Sequence, residues 1–209
     1  MKKNRKRHHS LRKKRFRIVL FLAALCVFLW VVVPKIGFIS PGIAIGDRDI
    51  PLLLQTDVRW ANEPYGDDTV SKSGCGPTCI AMVAQGLCGS DTAPDEVAAY
   101  SEDNGYFDAG SGTRWTLMTE GVAAFGLRGR ELPLDEGSIR NALNGGTPII
   151  ASVKPGDFTD KGHFIVFAGL AKNGEVIVND PNSKSRSERT WPLDRLIPQI
   201  KNLWCFSPT

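Results

Sequence analysis

The segment Ser73-Gly74-Cys75-Gly76-Pro77-Thr78 places a cysteine between two glycines, directly before a stretch of helical character. Pro77 suits the first turn of a helix, and apolar residues at helical spacing predict a helix over Pro77–Gly86. The glycines permit a sharp turn and the close approach of another molecule. A helix N-terminus favours a thiolate over the ordinary thiol, whose pKa is about 8.5, and its free N–H groups are candidate oxyanion donors. The segment therefore indicates a cysteine nucleophile, Cys75, at a helix N-terminus.

A second pattern supplies a base for this nucleophile. His8 and His9 lie in a basic N-terminal tail, which leaves His163 as the remaining histidine. The apolar runs His163–Leu170 and Glu175–Asn179 predict two strands of a hairpin, because an Asn-Gly turn separates them. Asp180 follows the second strand, so antiparallel pairing brings it close enough to accept from the imidazole and fix its tautomer. Such a pair is the base-and-orienter half of a catalytic triad.

The order of the other elements predicts the fold class. An apolar, strand-like stretch, Ile50–Leu54, leads to Gln55, whose side-chain amide is a candidate second oxyanion donor. Three more helices are predicted, and Val- and Ile-rich strands follow them. The predicted helices span Pro94–Ser101, Thr113–Phe125 and Ser138–Leu143, and the first strand of the later group spans Pro148–Val153. Helices followed by an antiparallel sheet predict an α+β fold.

The N-terminal region predicts export. Residues 1–17 hold ten Lys or Arg and no acid, and sixteen uncharged residues, Ile18–Val33, come next. Basic residues before an apolar span orient the N-terminus to the cytoplasm. We predict a basic cytoplasmic tail at 1–17, a transmembrane signal anchor at 18–39, a linker at 40–49 and a catalytic domain at 50–209. A single-pass protein of the cell membrane with an extracytoplasmic domain is expected, or a secreted one if the apolar segment is a cleaved signal peptide.

The charge distribution argues against a nucleic-acid partner. The chain has 26 Lys and Arg and 22 Asp and Glu. Removing the ten basic residues of the tail leaves 16 basic against 22 acidic residues, so the remainder carries a net charge of −6. Because the excess of basic charge is confined to the tail, it is better explained as a topology signal and a contact for anionic lipid.

Several short motifs occur in a fixed order across residues 50–205. They are Gln55-x-Asp57-x-Arg59-Trp60, Tyr65-Gly66, Gly74-Cys75-Gly76-Pro77-Thr78, Gly112-Thr113, Gly162-His163-Phe164 and Asn179-Asp180-Pro181. Together they resemble the bacteriocin (double-glycine) leader peptidase-like group of the papain-like cysteine peptidases. Founding members of that group are fused to an ABC transporter. This chain has no ATP-binding motif and resembles the stand-alone members.

The resemblance implies a papain-like fold and assigns roles to individual residues. Cys75 would be the nucleophile, His163 the base, Asp180 the orienter and Gln55 part of the oxyanion hole. Five residues are expected to line the substrate site: Gly74, Gly112, Thr113, Trp115 and Gly162. The expected activity is hydrolysis of peptide or amide bonds in a peptide or protein substrate through a thioester.

Two other functions use the same residues. An acyl or peptidyl transferase would deliver the thioester to an amine, and an idle peptide-binding domain would retain only the fold. No cofactor or metal is predicted, because Cys75 and Cys79 are spaced C-x3-C with no paired zinc motif. Cys79 is expected to be a packed core thiol. Cys88 and Cys205 are a possible disulfide pair in an exported domain.

Overall fold

The computed structural model describes residues 49–110 and 112–209. The predicted tail (1–17), signal anchor (18–39) and nearly all of the linker (40–49) therefore lie outside the described residues. Within the described ranges, no helix combines the length and apolar character needed to cross a membrane.

An antiparallel sheet of six strands carries the C-terminal half of the fold. Its strands are β5 (Leu127–Glu131), β6 (Ile149–Val153), β7 (His163–Leu170), β8 (Val176–Asn179), β9 (Thr190–Trp191) and β10 (Ile200–Pro208). They lie in the order β5-β10-β6-β7-β8-β9, so the predicted hairpin of β7 and β8 is present near the middle of the sheet. All five residues of β6 are buried, as expected for an apolar strand that is covered on both faces.

The helices and the short strands lie mostly N-terminal to this sheet. The described helices are α1 (Val70–Ser73), α2 (Cys75–Cys88), α3 (Pro94–Asp103), α4 (Glu136–Asn144), α5 (Lys184–Ser187) and α6 (Leu193–Leu196). The longest of them is α2. Three 3₁₀ turns span Trp115–Met118, Gly121–Phe125 and Ile197–Gln199. Two short hairpins pair β1 (Pro64–Tyr65) with β2 (Asp68–Thr69) and β3 (Phe107–Asp108) with β4 (Gly112–Thr113). The α+β prediction is thus confirmed.

The central helix is longer than predicted at both ends. It begins at Cys75 and continues past Gly86 to Cys88, where Gly89 ends it with a φ of +63°. Gly86 does not stop the helix, because it is the place where Ile50 packs against it: a Cβ at Gly86 would lie 2.3 Å from Ile50 Cδ1. Glycine here permits a close approach and not a turn.

Two sequence predictions are wrong. The helix predicted over Thr113–Phe125 is replaced by β4 and two 3₁₀ turns, which are interrupted where Gly121 packs against Leu117. The stretch Ile50–Leu54 forms no strand. Its carbonyls instead accept from side chains: Ile50 O from Asn179 Nδ2 and Leu54 O from Trp60 Nε1, each at 2.8 Å. Isolated apolar runs do not reveal whether a sheet partner exists for them.

The sheet separates two apolar clusters. Helix α2 packs on one face, where Ile150, Phe164, Val166 and Trp204 point toward it. Their sequence neighbours on the same strands face the other cluster with α4. This period of two follows from the alternation of side chains along a strand. The arrangement sets the N-terminus of α2 against the beginning of β7.

We expect Gly129→Ala to destabilise the fold. A Cβ at Gly129 in β5 would lie 1.8 Å from Met118 O, so the 3₁₀ segment would have to move. The expected loss is about 1–3 kcal/mol of the free energy of unfolding, measured by urea denaturation. Gly169→Ala in β7 is the matched control, because a Cβ there meets no atom within 4 Å. Equal stability of the two variants would contradict this packing.

Candidate active site

Cys75 is the first residue of α2 and is half-buried. Both neighbouring glycines are required by close packing. A Cβ on Gly74 would lie 2.5 Å from Val70 O, and one on Gly76 would lie 2.5 Å from Thr113 Oγ1. Gly74 itself has a φ of −84°, so its backbone would accept other residues. The two glycines therefore let the backbone of Cys75 pack closely between α1 and β4.

A buried group of hydroxyls packs against the start of α2. Tyr65 OH is hydrogen-bonded to Thr113 Oγ1 at 2.8 Å and to Ser101 Oγ at 3.0 Å. Thr113, predicted to line the substrate site, is buried against Gly76 and engaged in this network. Thr113 therefore packs against the start of α2, next to the backbone of Cys75.

His163 and Asp180 meet as the hairpin predicts. His163 is the first residue of β7, and Asp180 follows the last residue of β8. The distance between His163 Nε2 and Asp180 Oδ1 is 2.8 Å, and both side chains are buried. The ring lies close enough to the Cys75 thiol for each group to shift the pKa of the other. Since Nε2 faces the carboxylate, Nδ1 is the nitrogen left for Cys75.

Gln55 is buried and lies beside these residues. Its backbone N–H donates to Pro181 O at 2.7 Å, one residue beyond Asp180. Its side-chain Nε2 donates to Ser71 O at 2.7 Å. Its Oε1 has no hydrogen-bond partner among the described residues. Because Ser71 O can only accept, the amide is turned with its nitrogen toward the segment that precedes Cys75.

The remaining predicted substrate-site residues occupy different positions. Trp115 is 45% exposed and its ring lies edge-on to buried Trp204, with 5.3 Å between the ring centroids. The ring centroid of Trp204 lies 6.2 Å from that of Phe164, the residue after His163. Gly112 has a φ of +78° and open space at its Cβ position. A Cβ at Gly162 would meet only Val153 O, at 4.0 Å, so the approach to His163 is uncrowded.

Comparison with known proteins gives a family for this arrangement. The model of the peptidase C39-like family matches residues 48–204, three quarters of the chain. The chain belongs to the peptidase C39-like family. This places it among the cysteine peptidases, in agreement with the resemblance seen in the sequence motifs. No curated protein matches the chain.

Two solved structures are similar to this C39-like chain. One is a double glycine motif protease from an AMS/PCAT transporter in complex with the leader peptide, with 15% identity and a TM-score of 0.47. That match covers 78% of this chain and 96% of the other. The second is a putative C39-like peptidase from Bacillus anthracis, with 14% identity, a TM-score of 0.47 and coverage of 77% and 95%.

The electrostatics of the C39-like site favour charge separation between Cys75 and His163. Burial raises the pKa of the Cys75 thiol, but the hydrogen bond from His163, its charge and the N–H groups of Phe164 and Gly76 outweigh this, so the pKa is lowered. Burial likewise opposes protonation of His163, yet the hydrogen bonds to Asp180 and Cys75 raise its pKa to about 9. Both shifts favour a Cys75 thiolate beside a protonated His163 over the neutral pair.

Asp180 is held by residues that the sequence interpretation did not include. Its Oδ1 accepts from the Asn182 N–H at 2.8 Å, and its Oδ2 accepts from Arg186 Nε at 2.5 Å. Its own N–H donates to Ser187 Oγ at 2.8 Å. Burial raises the pKa of this carboxyl group, but the bonds from His163, Arg186 and Asn182 lower it overall. A basic residue in the polar turn after the acid, Ser183-Lys184-Ser185-Arg186, was the available signal.

Cys79 and Cys205 are buried thiols outside the Cys75–His163–Asp180 set. Cys79 is fully buried one turn after Cys75, and burial raises its pKa well above the ordinary value, as expected for a core thiol. Cys205 is an unpaired thiol buried in β10, so the disulfide with Cys88 considered from the sequence does not form. Within residues 49–110 and 112–209, no group of three His, Cys, Asp or Glu side chains could hold a metal ion.

We expect His163 to titrate near pH 9, with its charge retained below that pH and lost above it. Cys75→Ser should lower this midpoint toward the ordinary value of about 6.5, because the thiolate that stabilises the imidazolium is removed. Histidine NMR of the ¹⁵N-labelled chain measures the change, and His163→Ala assigns the signal. Cys88→Ser, at the exposed end of α2, is the control. An unchanged midpoint in Cys75→Ser would show that the pair is not coupled.

Proposed function

We propose that this chain is a membrane-anchored cysteine peptidase that hydrolyses peptide or amide bonds through a thioester on Cys75. One observation carries the proposal: His163 is hydrogen-bonded to the buried Asp180 at 2.8 Å and lowers the pKa of the Cys75 thiol at the N-terminus of α2. A thiolate next to a protonated imidazole is the activated nucleophile that acyl transfer needs. Membership of the C39-like family supports a peptidase.

The geometry suggests the following sequence of steps. The Cys75 thiolate attacks the substrate carbonyl, and the carbonyl electron pair moves to the oxygen. The intermediate collapses, His163 gives its proton to the leaving amine, and the acyl group remains on Cys75 as a thioester. A water molecule then loses a proton to His163 and attacks the thioester, which releases the acid and restores the thiolate.

The oxyanion formed in both additions needs donors beside Cys75. The first intrahelical bond of α2 runs from the Thr78 N–H to Gly74 O, so the Cys75 N–H has no acceptor within the helix. The Gln55 amide has two N–H bonds, and only one is given to Ser71 O. We assign the second N–H of the buried Gln55 amide to the oxyanion, because burial strengthens such a donor.

The proposed substrate is a peptide or protein segment that lies across the open side of Cys75. Gly112 and Gly162 leave space there, and Trp115 offers an exposed aromatic face next to the Trp204–Phe164 row. Gly74 is buried and a Cβ on it would meet Val70, so its contact with substrate stays a prediction from the family resemblance. These groups suit contact with the main chain of an extended substrate, whose amides need close backbone neighbours.

Hydrolysis tests this proposal. The full-length protein is incubated with a proteome-derived peptide library, and new termini are identified by mass spectrometry. Cys75→Ser and His163→Ala are each expected to abolish cleavage, because one removes the thiolate and the other its proton donor and acceptor. Cleavage that persists in either folded variant would overturn the mechanism. Transfer of the acyl group to an added amine in place of water would identify a transferase.

Gln55→Ala gives a graded version of the same test. Loss of one oxyanion donor is expected to lower kcat by about 10²–10³-fold with a smaller change in KM. Gln85→Ala is the matched control, because Gln85 also donates its Nε2 to a backbone carbonyl, that of Thr92, but lies further along α2. If both variants lose the same activity, the role of Gln55 is structural only.

We further propose that the apolar segment 18–39 anchors the protein in the cell membrane with its catalytic domain outside. The support is the sequence: ten basic residues precede sixteen uncharged ones. The full-length chain is expected to stay with membranes after alkaline carbonate washing and to be digested by external protease in spheroplasts. Release of a chain shortened by the N-terminal segment would identify a cleaved signal peptide and exclude a retained anchor.

A further inference from the structure

We propose that Arg186 is a positioning residue of the active site, which holds the Asp180 carboxylate ionised and oriented toward His163 throughout the reaction. The inference rests on the function proposed above and adds a fourth side chain to the Cys75–His163–Asp180 set. Arg186 touches neither Cys75 nor a substrate, so its action is transmitted through Asp180.

The two oxygens of the Asp180 carboxylate bind different partners. One oxygen, Oδ1, faces His163 Nε2 and the Asn182 N–H, each at 2.8 Å. The other, Oδ2, receives Arg186 Nε at 2.5 Å. Because each oxygen has its own strong donor, rotation of the carboxylate would break an interaction on both sides. Arg186 therefore fixes which oxygen the imidazole meets.

Contacts of the Arg186 backbone fix the position of this residue. It lies on α5, a four-residue helix whose N-cap Ser183 accepts from the Arg186 N–H. The Arg186 carbonyl accepts from Trp191 Nε1 at 3.0 Å. Its guanidinium lies 6.0 Å from the Phe158 ring centroid, and its side chain is 27% exposed. The guanidinium is therefore held by Asp180 and remains partly exposed to water. This exposure limits the free-energy cost of its desolvation.

The charges near Asp180 explain why a cation is needed. Asp180 has no solvent exposure, and the charged or titratable groups around it are His163 from β7, Arg186 from α5, and Cys75 and Cys79 from α2. Cys79 stays neutral. When the leaving amine takes the proton from His163, the imidazole becomes neutral, and Arg186 is then the one cation among these groups. Without it, a buried carboxylate would face a neutral ring and favour its own protonation.

Alkylation of Cys75 tests the inference without any peptide substrate. The full-length protein is labelled with iodoacetamide across about pH 4–9, and the rate at Cys75 is followed by mass spectrometry. In Arg186→Gln, the acid limb of this profile is expected to move to higher pH, because loss of a nearby cation disfavours the Cys75 thiolate. Lys184→Gln on the same helix is the control, since Lys184 is exposed and pairs with Glu188.

Two further variants separate position from general stability. Arg186→Lys retains the charge but not the Nε contact, so a smaller upward shift is expected. In Arg186→Ala, added guanidinium ion should return the acid limb toward that of the unmodified protein. An acid limb unchanged in Arg186→Gln, or in Arg186→Lys if the first variant does not fold, would overturn the inference. A wild-type profile with no enhanced reactivity below an ordinary thiol's pKa would instead refute the proposed function.

Discussion

The packing of α2 against β7 is the constraint on which the site depends. Cys75 is the first residue of α2 and His163 is the first residue of β7, so the contact between the two elements sets the distance between thiol and imidazole. Residues just inside each element, such as Ile80 and Val166, belong to one apolar cluster. Burial of that cluster is worth far more than the hydrogen bonds between the reactive groups, at about 1.5–3 kcal/mol for each large apolar side chain. The core therefore positions the chemistry.

The start of α2 is stabilised in a way that leaves its N–H groups available. The helix has no side-chain N-cap bond of the common kind. Thr78 Oγ1 instead donates to Gly74 O at 2.8 Å, and Thr113 packs against Gly76 from outside the helix. A serine or aspartate cap would have accepted the first N–H groups of the helix for itself. Here the Gly76 N–H helps to lower the pKa of the Cys75 thiol, and in the proposed reaction the Cys75 N–H is left for the substrate oxygen.

The sequence predicts the features that depend on neighbouring residues and misses those that depend on contacts between distant residues. The Cys75 helix and the hairpin that joins His163 to Asp180 depend on residues close in sequence, and both follow from patterns. Strand β5 has the sequence Leu-Arg-Gly-Arg-Glu, which has no β-like pattern. It is held in the sheet by its pairing with β10 and its packing on Met118, and both partners are distant in sequence or lie outside the strand. The hydroxyl network of Tyr65, Ser101 and Thr113 joins residues up to 48 positions apart. The contact of Arg186 with Asp180 likewise could not be predicted from the sequence, because it depends on the burial of Asp180 in the fold.

A count of charge through the proposed reaction connects these features. At rest, the Cys75 thiolate and Asp180 carboxylate are balanced by the His163 imidazolium and Arg186. In the thioester, Cys75 and His163 are both neutral, and Asp180 and Arg186 balance each other. The group is neutral at both stages, whereas the triad alone would carry one net negative charge at each. A buried site with no net charge requires little reorganisation of its surroundings between steps, and this preorganisation is the main electrostatic contribution that a protein makes to acyl transfer. On this view the short helix α5 is part of the active site, although it touches neither the nucleophile nor its base.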